Sequence, residues 1–167
     1  MKKYIYILMV GVFALSSCKK EEVGGTSVQD MANEWYVQMT VVDKATGEII
    51  DDSDKDYTTL ATYNTADNAS NVMWMDNSDS YNYDFALKAK VNVDLANKTF
   101  SYTDADELYY GEKVTITNGK IVKDGAVGPS SKAVTDAISF DAEFSQDPGT
   151  IYRFNGYART RFPGDDH

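Results

Sequence analysis

Histidine, cysteine and proline are scarce in this chain of 167 residues, which has one histidine, one cysteine and three prolines. One cysteine cannot form an intramolecular disulfide, and one cysteine with one histidine cannot build a Cys-rich zinc site or an iron–sulfur cluster. A catalytic triad needs a histidine held by packing, and His167 is the last residue, where chains usually fray. We therefore assign no catalytic residue and no cofactor.

Basic residues are also few, with 16 Lys and Arg against 26 Asp and Glu and a net charge of -10. Such a chain repels phosphates that it cannot neutralise, so no nucleic-acid partner is expected. The acidic segment 51–56 resembles a calcium loop only in its alternating acids. Counted from Asp52, Tyr57 stands where the loop needs Gly and Tyr63 where it needs Glu, so no metal site is predicted.

The N-terminus has the pattern of a signal peptide. Two lysines precede a mostly apolar run over residues 4–15. As a helix this run spans about 18 Å, too short for a bilayer core of roughly 30 Å. Leu15-Ser16-Ser17-Cys18 resembles the lipobox of bacterial lipoproteins, in which the cysteine is diacylated. We predict a signal peptide over residues 1–17 and lipid attachment at Cys18; an ordinary signal with a chance cysteine is the alternative.

Residues 18–30 are polar and contain Gly24 and Gly25, so a flexible tether is expected there. Lysine followed by acids just after Cys18 resembles the surface-export signal of Bacteroidetes-type lipoproteins. The predicted location is the outer membrane, facing either the cell surface or the periplasm.

From residue 31 onward the apolar pattern has a period of two, which is typical of half-buried antiparallel strands. One face of segment 85–95 carries only apolar side chains: Phe85, Leu87, Ala89, Val91, Val93 and Leu95. Further strands are predicted at 35–43, 58–64, 72–76, 99–103, 113–117, 120–123, 138–144 and 152–162. Asn118-Gly119 predicts a hairpin turn, and Gly156 predicts a bend or bulge.

Eight or nine strands, polar outward faces and the lack of a long helical pattern predict an all-β fold. The favoured form is a single antiparallel up-and-down barrel over residues 31–163, followed by a tail at 164–167. An immunoglobulin-type sandwich is the alternative, because strand counts do not fix topology.

Several strings resemble a known family. Asn33-Glu34-Trp35-Tyr36-Val37 resembles the opening segment of lipocalin-like calycins. The further strings are Tyr63-Asn64-Thr65-Ala66, Met73-Trp74, residues 113–120, Asp147-Pro148-Gly149-Thr150 and residues 156–160. Together they resemble a family of Bacteroidetes lipoproteins labelled "lipid-binding putative hydrolase", over residues 31–162. The resemblance implies a calycin-like barrel that holds a lipid, and it identifies no hydrolase residue.

Aromatic and methionine residues are the candidate ligand contacts, because rings with a polar tip suit mixed cavities and methionine adapts to irregular apolar shapes. The candidates are Tyr63, Met73, Trp74, Met75, Tyr83, Tyr110 and Tyr152. The competing interpretation is that such residues simply fill a core. The leading hypothesis is a monomeric, membrane-anchored module that binds a lipid or other small apolar ligand. A glycan-binding or protein-interaction module is the alternative, and a carboxylate-based hydrolase is less favoured.

Overall fold

The computed structural model describes residues 25–53, 56–77 and 86–167. The predicted signal peptide at 1–17, the predicted lipid-attachment residue Cys18 and the candidate ligand residue Tyr83 lie outside these ranges. The described strands are β1 Asn33–Asp43, β2 Ile49–Asp51, β3 Thr58–Asn64, β4 Val72–Asp76, β5 Lys88–Asp94, β6 Thr99–Asp106, β7 Lys113–Val127, β8 Val134–Phe144 and β9 Thr150–Ala158. Short 3-10 helices cover Gln29–Met31 and Pro163–Asp165. None of the helices in the described ranges is long and apolar enough to cross a membrane.

The strands form a closed antiparallel barrel. Neighbours follow chain order from β3 to β9, β1 pairs with β3, and β1 also pairs with β9 from Trp35–Ala158 to Asp43–Thr150. The barrel therefore consists of β1 and β3 to β9. Strand β2 is an extra strand that pairs only with the last part of β1. This confirms the predicted all-β barrel, and the closing β1–β9 ladder excludes the open sandwich.

Alternation along the strands directs apolar side chains into the barrel. Met73 and Met75 on β4 are fully buried. Rings from β8 and β9 stack at the centre, with the Phe140 and Phe154 centroids 4.7 Å apart. Val28 and Met31 join the same core from the N-terminal segment. The interior is packed with these side chains, which leaves space for other molecules at an end of the barrel and not along its axis.

The predicted hairpin at Asn118-Gly119 is wrong, because β7 runs unbroken through both residues. Asn118 has φ 55°, and the register with β8 shifts between Thr117 and Lys120. The dipeptide therefore forms a β-bulge, which needs left-handed backbone as a turn does. A Cβ on Gly119 would lie 2.2 Å from the Phe100 carbonyl oxygen. Pairing with β6 and β8 on both sides continues the strand through the bulge.

Gly156 does not mark the predicted bend or bulge. It pairs in continuous register with Val37 on β1 and Ile138 on β8. A Cβ at this position would lie 2.1 Å from the Tyr36 carbonyl oxygen. Glycine is required here because the neighbouring backbone approaches closely.

Packing extends past both ends of the predicted domain. Val28, within the predicted tether, is fully buried, and so is Asp165 in the predicted tail. The Asp165 carboxylate accepts hydrogen bonds from the backbone N–H groups of Ser130 (2.8 Å) and Ser131 (2.9 Å). His167 stacks on Tyr57 with ring centroids 4.2 Å apart. The C-terminal residues are thus part of the folded unit.

Candidate ligand site at the barrel mouth

One end of the barrel, here called the mouth, is the end at which β1, β4, β6 and β8 stop and β3, β5, β7 and β9 begin. A cavity of about 440 Å³ opens there. Its lining residues are Ala86, Tyr110, Glu112, Phe144, Gln146, Asp147 and Tyr152. This volume lies in the range of small-ligand pockets, about 300–1,000 Å³. A depression of about 500 Å³ over β5, β6 and β7 has a single aromatic residue in its lining, whereas the mouth cavity has three, so the mouth cavity is the candidate site.

The floor of the mouth cavity is the last layer of the barrel core. Phe144 ends β8 and belongs to the core, and Tyr152 near the start of β9 packs against that core. The two rings meet edge to face with centroids 5.5 Å apart. The Tyr152 hydroxyl donates a 2.7 Å hydrogen bond to Oδ2 of Asp147. An apolar floor with a polar rim suits an amphiphilic ligand.

A buried carboxylate shapes the β6–β7 connection that forms one wall. Glu107 is 1% exposed. Its oxygens accept hydrogen bonds from the backbone N–H groups of Lys88 (3.1 Å), Tyr109 (2.8 Å) and Tyr110 (2.7 Å). These bonds fix the turn that presents the exposed Tyr110 ring and Glu112 to the cavity.

The rim of the mouth cavity is acidic. Glu112 and Asp147 both line it, and none of the described lining residues is basic. Oε2 of Glu112 accepts a 3.3 Å hydrogen bond from the Gln146 backbone N–H, which links the β6–β7 and β8–β9 connections. The rim thus offers carboxylate, amide and phenol groups to a ligand.

A second cluster lies on the outer wall around Asp76, which is 6% exposed. Its carboxylate accepts hydrogen bonds from the Tyr63 hydroxyl (2.7 Å), Lys88 Nζ (2.7 Å) and the Tyr109 hydroxyl. Burial would raise the pKa of Asp76, but the bonds from Lys88, Tyr109 and Tyr63 outweigh burial and lower that pKa. Burial and then the bond to Asp76 raise the pKa of Tyr109 to about 12. These groups form a satisfied ionic network.

A groove of about 240 Å³ lies beside this network, between β5 and β6. The two strands pair over Asn92–Asp94 and Thr99–Ser101. Beyond this ladder, the Leu108 N–H, just after β6, donates a 3.0 Å hydrogen bond to the Lys88 carbonyl at the start of β5. The groove is lined by Trp74, Lys90, Tyr102, Asp104, Ala105, Asp106 and Leu108. Lys90 Nζ lies 5.0 Å from the centre of the Trp74 ring.

The structure divides the predicted ligand residues among three places. Tyr110 and Tyr152 line the mouth cavity. Met73 and Met75 lie in the core. Tyr63 and Trp74 pair across β3 and β4 on the outer wall. Residues next to each other in a strand face opposite sides of the sheet, so Trp74 cannot share a face with Met73 and Met75.

Sequence reasoning missed five residues of the mouth cavity: Ala86, Glu112, Phe144, Gln146 and Asp147. The predicted strands gave no signal for them. In an up-and-down barrel every second connection lies at the same end. The expected hairpin at Asn118-Gly119 would have placed the turn at 107–112 and the turn at 145–149 at opposite ends, and they share an end only because β7 continues through those two residues.

Metal binding has no preformed centre within the described ranges, where no group of three or more His, Cys, Asp or Glu residues is placed to hold an ion.

A family model described as "Lipid-binding putative hydrolase" matches residues 20–163. No curated protein matches the chain.

Proposed function

The chain belongs to the lipid-binding putative hydrolase family, and we propose that it binds an amphiphilic lipid at the mouth of its barrel. The observation that carries the proposal is the mouth cavity itself, about 440 Å³, with the core residue Phe144 in its floor and acidic groups at its rim. A lipid has the same division into an apolar chain and a polar end.

The apolar part of the ligand contacts residues at the mouth, because the barrel interior is filled by its own side chains. Apolar residues are exposed at both ends of the barrel. At the mouth, Ile49 and Ile50 on β2 are 62% and 59% exposed, and Leu108 is 54% exposed. Exposed apolar groups beside a cavity favour contact with an apolar ligand or a membrane surface.

We also propose that the chain is an outer-membrane lipoprotein, attached through diacylated Cys18. The support is the string Leu15-Ser16-Ser17-Cys18 and the charged, apolar segment before it. A diacyl anchor binds membranes stably, whereas a single chain binds marginally.

Native mass spectrometry of the full chain carrying Cys18→Ser tests lipid binding. The protein is expected to retain a co-purified lipid or to take one up from added lipid. Gln146→Trp should reduce this uptake, because Gln146 is an exposed residue of the rim and a large ring there fills the cavity. The control is Trp74→Ala on the outer wall. Absence of any bound lipid in the parent protein would contradict the proposal.

A second candidate function, glycan binding, is favoured by the groove between β5 and β6. Trp74 and Tyr102 provide rings for stacking on a sugar, and Asp104 and Asp106 provide carboxylates for its hydroxyl groups. Binding of oligosaccharides that Trp74→Ala abolishes, with lipid uptake unchanged, would support this function.

A further inference from the structure

The charges around the mouth cavity bear on which lipid head groups can bind there, an inference that rests on the proposed function. Two of its seven described lining residues, Glu112 and Asp147, are acidic and none is basic. A free fatty acid would bring a third carboxylate into this rim. The negative charges of Glu112 and Asp147 would repel this carboxylate, whereas they would attract a positively charged head group.

Three aromatic rings, those of Tyr110, Phe144 and Tyr152, line the same cavity as the two acids. The face of an aromatic ring attracts a cation within about 6 Å, and quaternary ammonium groups are bound in aromatic cages for this reason. Rings and carboxylates together favour an ammonium group over a neutral one.

Among the described residues at this end of the barrel, three lysines are engaged by other carboxylates. Lys44 Nζ lies 2.6 Å from Glu143, Lys88 Nζ lies 2.7 Å from Asp76, and Lys113 pairs with Asp106. The acids of the mouth cavity have different contacts: Asp147 accepts the Tyr152 hydroxyl and Glu112 accepts a backbone N–H. A ligand cation can therefore approach Glu112 and Asp147 without displacing one of these ion pairs.

We propose that the mouth cavity selects amphiphiles whose polar end is an ammonium group, such as a choline-type or ethanolamine-type head group, over free fatty acids. The ammonium group lies between Glu112 and Asp147 and against the rings, and the alkyl chain leaves the cavity toward the exposed side chains of Ile49 and Ile50. Selection comes from the head group, because the acids and rings of the cavity contact the head group and not the chain.

Three detergents with the same twelve-carbon chain test this selection: dodecyltrimethylammonium, dodecyl maltoside and laurate. Each is titrated by calorimetry into the full chain carrying Cys18→Ser, below its micelle concentration. We expect dodecyltrimethylammonium to bind at least about tenfold more tightly than laurate, with dodecyl maltoside between them, and added salt to narrow the difference. Laurate binding as tightly as dodecyltrimethylammonium would overturn the selection but leave lipid binding intact. Failure of all three to bind would overturn the proposed function itself.

Charge-neutral variants separate local from overall electrostatics. Glu112→Gln and Asp147→Asn should each lower the ratio of dodecyltrimethylammonium affinity to dodecyl maltoside affinity several-fold. The control is Asp30→Asn, which removes one negative charge from an exposed residue of the N-terminal segment, at the opposite end of the barrel. An equal loss in Asp30→Asn would show that net charge alone attracts the cation, and would overturn the assignment to the mouth cavity.

Discussion

Tyr152 and Asp147 connect the apolar floor of the mouth cavity to its acidic rim, through a 2.7 Å hydrogen bond from the phenol to Oδ2. Phe144 packs edge to face on the same Tyr152 ring. One tyrosine thus orients the carboxylate and covers the core. This double contact leads to the first prediction.

Tyr152→Phe should separate these two contacts. The variant keeps the ring against Phe144 but removes the hydroxyl that holds Asp147. We expect the free energy of unfolding to fall by about 0.5–1.5 kcal/mol, the usual net value of one hydrogen bond. Urea denaturation measures this loss. Tyr152→Leu is the comparison, and it should lose more stability and more ligand affinity; equal effects of the two variants would show that the ring contributes nothing beyond its hydrogen bond, and no effect of Tyr152→Phe would show that the hydrogen bond has no role.

Gly119→Ala should be clearly destabilising, because the new Cβ would lie 2.2 Å from the Phe100 carbonyl oxygen in the β6–β7 ladder. Overpacking of this kind costs about 1–3 kcal/mol. Gly164→Ala is the control, since its nearest contact would be an ordinary 3.4 Å to the Ser130 side chain. Its effect should stay within about 0.5 kcal/mol. Similar melting temperatures for the two variants would contradict the close approach.

Strand positions were readable from the sequence where alternation is strict. Segment 85–95 predicted a strand with Leu87, Ala89 and Val91 turned inward, and all three are fully or almost fully buried. Asn118-Gly119 misled for a physical reason. The dipeptide supplies left-handed backbone, and only the partners on both sides decide whether the chain turns back or bulges.

The candidate site was less accessible to sequence reasoning. Trp74, Met73 and Met75 were candidates because of their residue types, but neighbours in a strand face opposite sides of the sheet, so Trp74 cannot line one cavity with the two methionines. Phe144 and Tyr110 are far apart in sequence and meet only because their strands end at the same mouth. That meeting depends on the closed topology, which no local pattern specifies.

The stability of the protein should fall in acid through Asp165. Burial would raise the pKa of this carboxyl, but hydrogen bonds from Ser131, Thr160 and Ser130 outweigh burial and hold the pKa well below its usual range. The unfolded chain therefore binds the proton more readily than the folded chain. The stabilisation from Asp165 is present above the unfolded pKa of about 4 and is lost as the pH falls through the lower, folded value.

Urea denaturation at pH 7 and at pH 3 measures this contribution. Asp165→Asn should be less stable than the parent protein at pH 7, and its stability should depend less on pH. Asp30→Asn, at an exposed site, should follow the parent curve. Identical pH dependence in the parent and Asp165→Asn would show that Asp165 does not contribute.

Membrane attachment should depend on Cys18. Cys18→Ser removes the thiol that the lipobox-like string presents for acylation. The variant is expected to lose labelling by radioactive palmitate and to move from the membrane fraction to the soluble fraction. Ser17→Ala, a neighbouring change that keeps the thiol and a small residue, should still be labelled. Continued pelleting of Cys18→Ser with membranes would contradict acylation as the anchor.

Trp74 distinguishes the two proposed functions, because its ring lies on the outer wall beside the groove between β5 and β6 and not in the mouth cavity. Trp74→Ala should leave dodecyltrimethylammonium affinity unchanged within about twofold, since the ring takes no part in lining the mouth.

A ligand that stacks on Trp74 would displace Lys90 Nζ, now 5.0 Å from the ring centre, and would change the tryptophan emission. Trp35 is fully buried, and its indole N–H donates a 2.8 Å hydrogen bond to the Thr62 hydroxyl, so it provides a constant emission background. An emission change with oligosaccharide that disappears in Trp74→Ala would therefore place a sugar in the groove. The same emission change with dodecyltrimethylammonium would contradict lipid binding at the mouth and indicate that the lipid binds on the outer wall.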